Sequence, residues 1–218
     1  MNNEMTWEHH LHGNEDNKGL IERLSYRACL VFRLSKVVPK NRLKAFAEGI
    51  FFSILNYGIE VYGNVWGLST YDEQQRNSPA FTKEDNRRLQ ILVNKVLRCI
   101  TGLDRESSIV DLHNESGQLS VQQRCAFFSI LMVHKSILEK QPVYHSNYFA
   151  NNQDHRITRR GEYLQVNYRL SISRCSFFYR GSKLYNLLPV DITKMNKMAS
   201  FKKGVKEWIR RNIPLIPT

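Results

Sequence analysis

The residues best placed to do chemistry are cations spaced along one predicted helix near the end of this 218-residue chain. In residues 200–212, SFKKGVKEWIRRN, a helical period puts Phe201, Val205, Trp208 and Ile209 on one side and Lys202, Lys203, Lys206 and Arg210 on the other. Such a stripe neutralises phosphates and releases the counterions that surround a polyanion. Upstream, Arg156, Arg159, Arg160, Arg169, Arg174, Arg180 and Lys183 are interleaved with Tyr163, Tyr168, Phe177, Phe178 and Tyr179. Aromatic faces stack unpaired bases, so cations and rings together are the residue types of a nucleic-acid surface. Two plainer readings compete. A terminal amphipathic helix can pack its apolar side and merely solvate its charges. Phe177, Phe178 and Tyr185, beside Leu184 and Leu188, also suit the core of a small unit better than an open stacking platform. The number of cations favours polyanion binding by residues 156–211, with most of the aromatics inside.

Other chemistries find less support. The acidic doublets Glu15-Asp16, Asp72-Glu73 and Glu84-Asp85 lie in polar stretches or at a helix start, where carboxylates solvate or cap. His9, His10 and His12 crowd a polar terminus without groups to orient them as metal ligands. His113, His134 and His155 are scattered, and no Ser, Cys or Asp stands with them as nucleophile and base would. Cys29, Cys99, Cys125 and Cys175 are too far apart for paired zinc spacings. The first three sit in apolar helical patterns, which predicts buried, reduced thiols and an intracellular compartment. No cofactor or metal is expected.

The net charge of +12 is unevenly placed. Residues 1–140 carry 18 Lys+Arg against 16 Asp+Glu, whereas residues 141–218 carry 14 against 4. A positive field concentrated in the last third favours nucleic acid first and an anionic membrane surface second. No apolar run approaches a membrane span, and no secretory leader pattern opens the chain.

The elements that must position these residues read mainly as α. Apolar spacing predicts helices over about 18–37 and 40–61, the second apolar on most sides and so the core of a bundle. Asn64 and Gly67 are expected to end it, before a polar loop over 68–81. Thr82 to Asp85, Ser108 to Asp111 and Ser120 to Gln123 each have the capping-box form and open three further helices, the first with an apolar stripe from Leu89 to Ile100, the others over about 109–114 and 121–140. On the first of these, Arg87, Gln90, Asn94 and Arg98 form the polar face, and Gly102 stops it. From Gln141-Pro142 the helical period lapses. A short strand at 168–174, a helix over 177–188 ended by Pro189, and a final helix capped by Ser200 complete the expectation. The predicted organisation is a residual segment 1–13, a helical bundle 14–140, a linker 141–168 and a basic unit 169–218, mainly α throughout.

Two blocks, LNYGIEVYGNVWG at 55–67 and GSKLYNLLPVDI at 181–192, carry a family resemblance. Tyr57-Gly58 before Trp66-Gly67, then Gly181, Tyr185, Asn186, Leu188 and Pro189, then a basic amphipathic helix, resemble the region after the palm in reverse transcriptases of non-LTR (LINE-type) retrotransposons. Tyr185 stands where that family more often has Trp. Thr6-Trp7 and His10 resemble the segment that leaves the palm, which implies that Met1 lies downstream of it. The family's polymerase holds two metal ions about 4 Å apart on adjacent aspartates, and this sequence has no Asp-Asp pair. Some members carry a Cys/His knuckle or an endonuclease with Pro-Asp and Glu-x-Lys carboxylates. Here the knuckle is absent, and Pro189-Val190-Asp191 has no Glu-x-Lys after it. The resemblance implies a thumb bundle that closes over template and primer, followed by a basic segment that helps to hold RNA or DNA. It thus implies an RNA-directed DNA polymerase's non-catalytic part, binding RNA or an RNA/DNA duplex, with the nucleus among its locations. The alternative is a helical module whose basic tail meets an acidic protein or a membrane surface, and a truncated element without selected function is a third.

Overall fold

A computed structural model describes residues 13–63, 82–140, 142–151, 153–158, 161–164 and 177–215. Side chains are described outside 13–18, 61 and 150–176. The fold is mainly α. In order come α1 (Gly13–Leu34), α2 (Lys40–Ala47), a π-helical turn (Glu48–Phe52), α3 (Ser53–Asn56), α4 (Ile59–Tyr62), α5 (Lys83–Thr101), α6 (Ile109–Ser116), α7 (Val121–Leu138) and α8 (Val143–Asn151). An antiparallel hairpin, β1 (Gln153–Thr158) and β2 (Gly161–Leu164), precedes α9 (Phe177–Asn186), α10 (Val190–Thr193) and α11 (Met198–Asn212). Among the described residues no helix is long and apolar enough to cross a membrane.

The chain divides into two compact units, one holding α1 to α3, α5 and α6, the other holding α4 and everything from α7 to α11. The boundary expected near 141 is not the one the packing draws. Along α7, residues 121–126, 129, 130, 133, 134 and 136 are all buried. A helix covered on nearly every side needs partners all round, and within its unit it finds them in α4, α8, α9 and α11. The segment expected to be a linker contains α8 and the hairpin instead.

In the first unit, α1 packs Leu24, Ala28 and Val31 against α5, whose Leu89, Val93, Val96, Leu97 and Ile100 are buried in turn. Leu43, Ala47, Phe51, Phe52 and Leu55 add the contribution of α2, the π turn and α3. The run over 40–61 is less enclosed than its composition suggests: Ala45 and Phe46 face solvent, and the helix breaks at Tyr57-Gly58. Gly58 there has φ +70°, a conformation that side-chain-bearing residues rarely adopt. Thr82 and Ser120 make full capping boxes with Asp85 and Gln123, and the Ser108 hydroxyl accepts the Asp111 N–H at 3.1 Å. Gly102 ends α5 with φ +77°. Two lysines of α2 then cap neighbouring helix ends: Lys40 donates to the Thr101 carbonyl at 3.3 Å, and Lys44 to that of Ser116 at 3.2 Å. The polar face expected on α5 is half inside. Gln90 and Asn94 are buried, and the Gln90 amide donates to Asn94 Oδ1 at 2.7 Å and reaches His113 Nε2 at 3.1 Å.

In the second unit, Ala126, Ile130 and Val133 of α7 meet Phe149, Phe177, Leu184, Tyr185, Leu188, Phe201, Val205 and Ile209 in one core. Gly181 sits inside α9, where an added Cβ would lie 2.8 Å from Val133 Cγ2, so its absence of a side chain lets α9 and α7 approach. Ser200 does not cap α11, which begins two residues earlier after Lys197. The strand expected at 168–174, Cys175, Asn64, Trp66-Gly67, the loop 68–81 and the N-terminal histidines lie outside the described residues.

Candidate nucleic-acid interface

The site is built on α11. Phe201, Val205 and Ile209 are fully buried, and Ile213 follows them in. Spacing of four holds them on one face, which fixes how the rest of the helix is presented. The Gln123 amide, buried on α7, donates to the Ile213 carbonyl at 2.8 Å and ties down the helix end. With that face committed, Lys202, Lys203, Arg210 and Arg211 are exposed, while Lys206 and Trp208 are half-buried at the margin. Glu207 is the acid among them. Arg210 and Arg211 lie in the last turn, where the helix carbonyls favour positive charge. Thus Lys202, Lys203 and Arg210, three of the expected ligands, share a rigid, outward surface that can meet a line of phosphates.

The other expected residues are placed differently. Arg180 is half-buried and donates from Nη1 to the Gly63 carbonyl, a strut within the unit rather than a surface cation. Lys183 is half-buried with its ammonium 4.8 Å from the Tyr179 ring centroid. Arg156 lies on β1. Arg159, Arg160, Arg169 and Arg174 lie outside the described residues. The rings near them are interior: Phe177 and Tyr179 are buried, and Phe178 packs on Tyr148 with centroids 4.3 Å apart. They build the core that carries the interface.

Tyr185 of the 181–192 block has a defined task. His134 Nε2 donates to the Met195 carbonyl at 3.2 Å, which leaves Nδ1 to accept the Tyr185 hydroxyl at 3.1 Å. The same imidazole stacks on Phe201, centroids 3.5 Å apart and nearly parallel. One buried histidine thereby joins α7, α9 and α11 and sets the angle of the basic helix. Burial pushes its pKa below the ordinary histidine value, against the opposing pull of Met195 and Glu139. Burial does the same to His145, which lies among Tyr144, Phe177 and Phe178.

A second basic region escaped the reading by thirds. Between Glu22 and Glu48 the sequence holds seven Lys or Arg and no acid, a run concealed when 140 residues are averaged. Scanning residues 1–140 by themselves for their longest stretch without an acid would have found it. Most of these cations are exposed, and among the described residues none of the seven forms an ion pair. The acids of α5 behave otherwise, Glu84 being held at about 2 by Arg87 and then Arg88. Among the described residues no three His, Cys, Asp or Glu gather as a metal site requires. Cys29, expected inside, is exposed on α1 because it follows Ala28 by a rotation of about 100° away from the buried face.

The chain matches no protein-family model, no curated protein and no solved structure.

Proposed function

We propose that these residues form the thumb and post-thumb region of a non-LTR retrotransposon reverse transcriptase, holding RNA or an RNA/DNA duplex through the outer face of α11 without themselves polymerising. The observation that carries the reading is a helix that buries Phe201, Val205 and Ile209 on one side and offers Lys202, Lys203 and Arg210 to solvent on the other. The sequence blocks support it: Gly58 breaks a helix at a conformation few other residues adopt, and Tyr185, Leu188 and Pro189 lie where the basic helix is anchored.

The test is binding of labelled duplexes across a salt series, comparing the chain with its Lys202→Gln, Lys203→Gln, Arg210→Gln variant. Weaker binding to every sequence alike is expected, since phosphate contacts position without specifying. The slope of log K on log salt should become shallower by about 0.9 for each phosphate contact removed. Unchanged affinity at ~0.1 M salt, where exposed charges still act over about 10 Å, would move the assignment to a protein or membrane surface. Metal-dependent nucleotide incorporation by the pure chain would contradict the non-catalytic part of the reading.

A further inference from the structure

We propose that the outward face of α1 is a separate binding surface for single-stranded nucleic acid, distinct in chemistry from α11. Leu24, Ala28 and Val31 commit one side of α1 to the first unit's core. Away from that side, Tyr26 at 64% and Phe32 at 55% exposure stand with Cys29 on an i, i+3, i+6 ridge that turns by about 120° around the helix. Cations stand between and beside the rings: Arg33 lies two turns beyond Tyr26, and the Lys36 ammonium, just past the helix end, is 5.1 Å from the Phe32 centroid. Residues 23–47 contain no carboxylate, and the nearest acid on this face is exposed Glu22, one turn before Tyr26. Alternating rings and cations are what an unpaired strand requires, because the cations follow its phosphates while each base offers a face to stack.

Two other occupants fit less well. A duplex offers its backbone and keeps its bases stacked on one another, so it has no use for Tyr26 and Phe32. A membrane-surface helix presents a broad apolar stripe with Trp, Phe or Leu, whereas here exposed Ser25, Arg33 and Lys36 break up the surface around Tyr26 and Phe32. The surface differs from α11 in the same respect, since the aromatics of the second unit's core point inward.

The experiment uses the full chain and a labelled strand of about 16 nucleotides, as oligouridylate and as oligothymidylate, beside a duplex of equal length. Tyr26→Ala with Phe32→Ala should lower single-strand affinity roughly tenfold and leave duplex affinity unchanged. Arg33→Gln with Lys36→Gln should weaken the single strand and flatten its salt slope by about 0.7 per contact. Loss in only one of the two homopolymers would assign the surface to RNA or to DNA. Circular dichroism equal to that of the parent chain confirms that these exposed substitutions leave the helices intact. The proposal is overturned if both variants bind the single strand as the parent does, if the aromatic variant loses duplex binding equally, or if the variants lose only phosphatidylserine vesicles. The α11 variant separates the two readings: should it bind duplex normally while the α1 variants fail on single strands, the proposed function falls and this surface remains.

Discussion

The two units solve the placing of charge and rings in opposite ways. In the first, Tyr26 and Phe32 stand in solvent beside cations, and polar Gln90, Asn94 and His113 are drawn inside. In the second, the rings of Phe149, Phe177 and Phe201 are drawn inside with His134, and the cations of α11 are left outside with few exposed rings. The contrast shows that counting Lys, Arg and aromatics along a sequence does not locate a stacking surface. What matters is which helix face the core claims first, because the residues left over define what can be bound.

The largest effect should come from cutting the chain after Lys140. If α7 belonged to an autonomous bundle, residues 14–140 would fold cooperatively. The packing of Ala126, Ile130 and Val133 against α9 and α11 implies instead that α7 loses its cover. The truncated chain should show less helix by circular dichroism than its share of the whole and should bind a hydrophobic dye. A sharp urea transition with full helicity would erase the division between the units drawn here.

Gly181→Val should have a smaller, local effect. The new side chain meets Val133 Cγ2, which an added Cβ alone would approach to 2.8 Å. Overpacking of this kind costs about 1–3 kcal/mol. The loss, read from urea midpoints, should shrink when Val133→Ala is added. No rescue would mean that α7 and α9 do not approach as closely as the glycine implies.

The smallest effect is that of pH. His134 and His145 both have folded-state pKa values below the ordinary 6.5, from burial. As pH falls through that value the unfolded chain takes up protons first, so the stability these groups confer is complete above 6.5 and declines toward the folded pKa. The second unit should therefore weaken on mild acidification, by no more than one proton per histidine. His134→Gln should flatten the slope, and a parent chain whose urea midpoint does not change between pH 7 and about pH 5 would sever the link between its buried histidines and its stability.

Much of the fold was legible because its signals are local. Thr82 with Asp85, Ser120 with Gln123 and Gly102 announce helix ends within three or four residues, and the structure has those ends. The buried face of α11 was equally legible from Phe201, Val205 and Ile209. What could not be read depends on contacts remote in sequence. Gln90 and Asn94 look solvated until α6 brings His113 to them. Arg180 looks like a phosphate ligand until the Gly63 carbonyl takes its guanidinium. Gly181 has no evident task inside the helix expected over 177–188 until α7 supplies the wall against which only hydrogen fits.

The π-helical turn at Glu48–Phe52 has a geometric corollary. Leu43, Ala47, Phe51 and Leu55 are buried at every fourth position. On an α-helix of 3.6 residues per turn, such a series precesses by about 40° at each step and would wander off the core. A turn closed by i→i+5 bonds winds less per residue and resets the phase, which is how Phe51 and Phe52 can both be inside. One residue gained or lost at this point would therefore act as a rotation of α3, turning Leu55 by about a quarter of a circle while barely lengthening or shortening the chain.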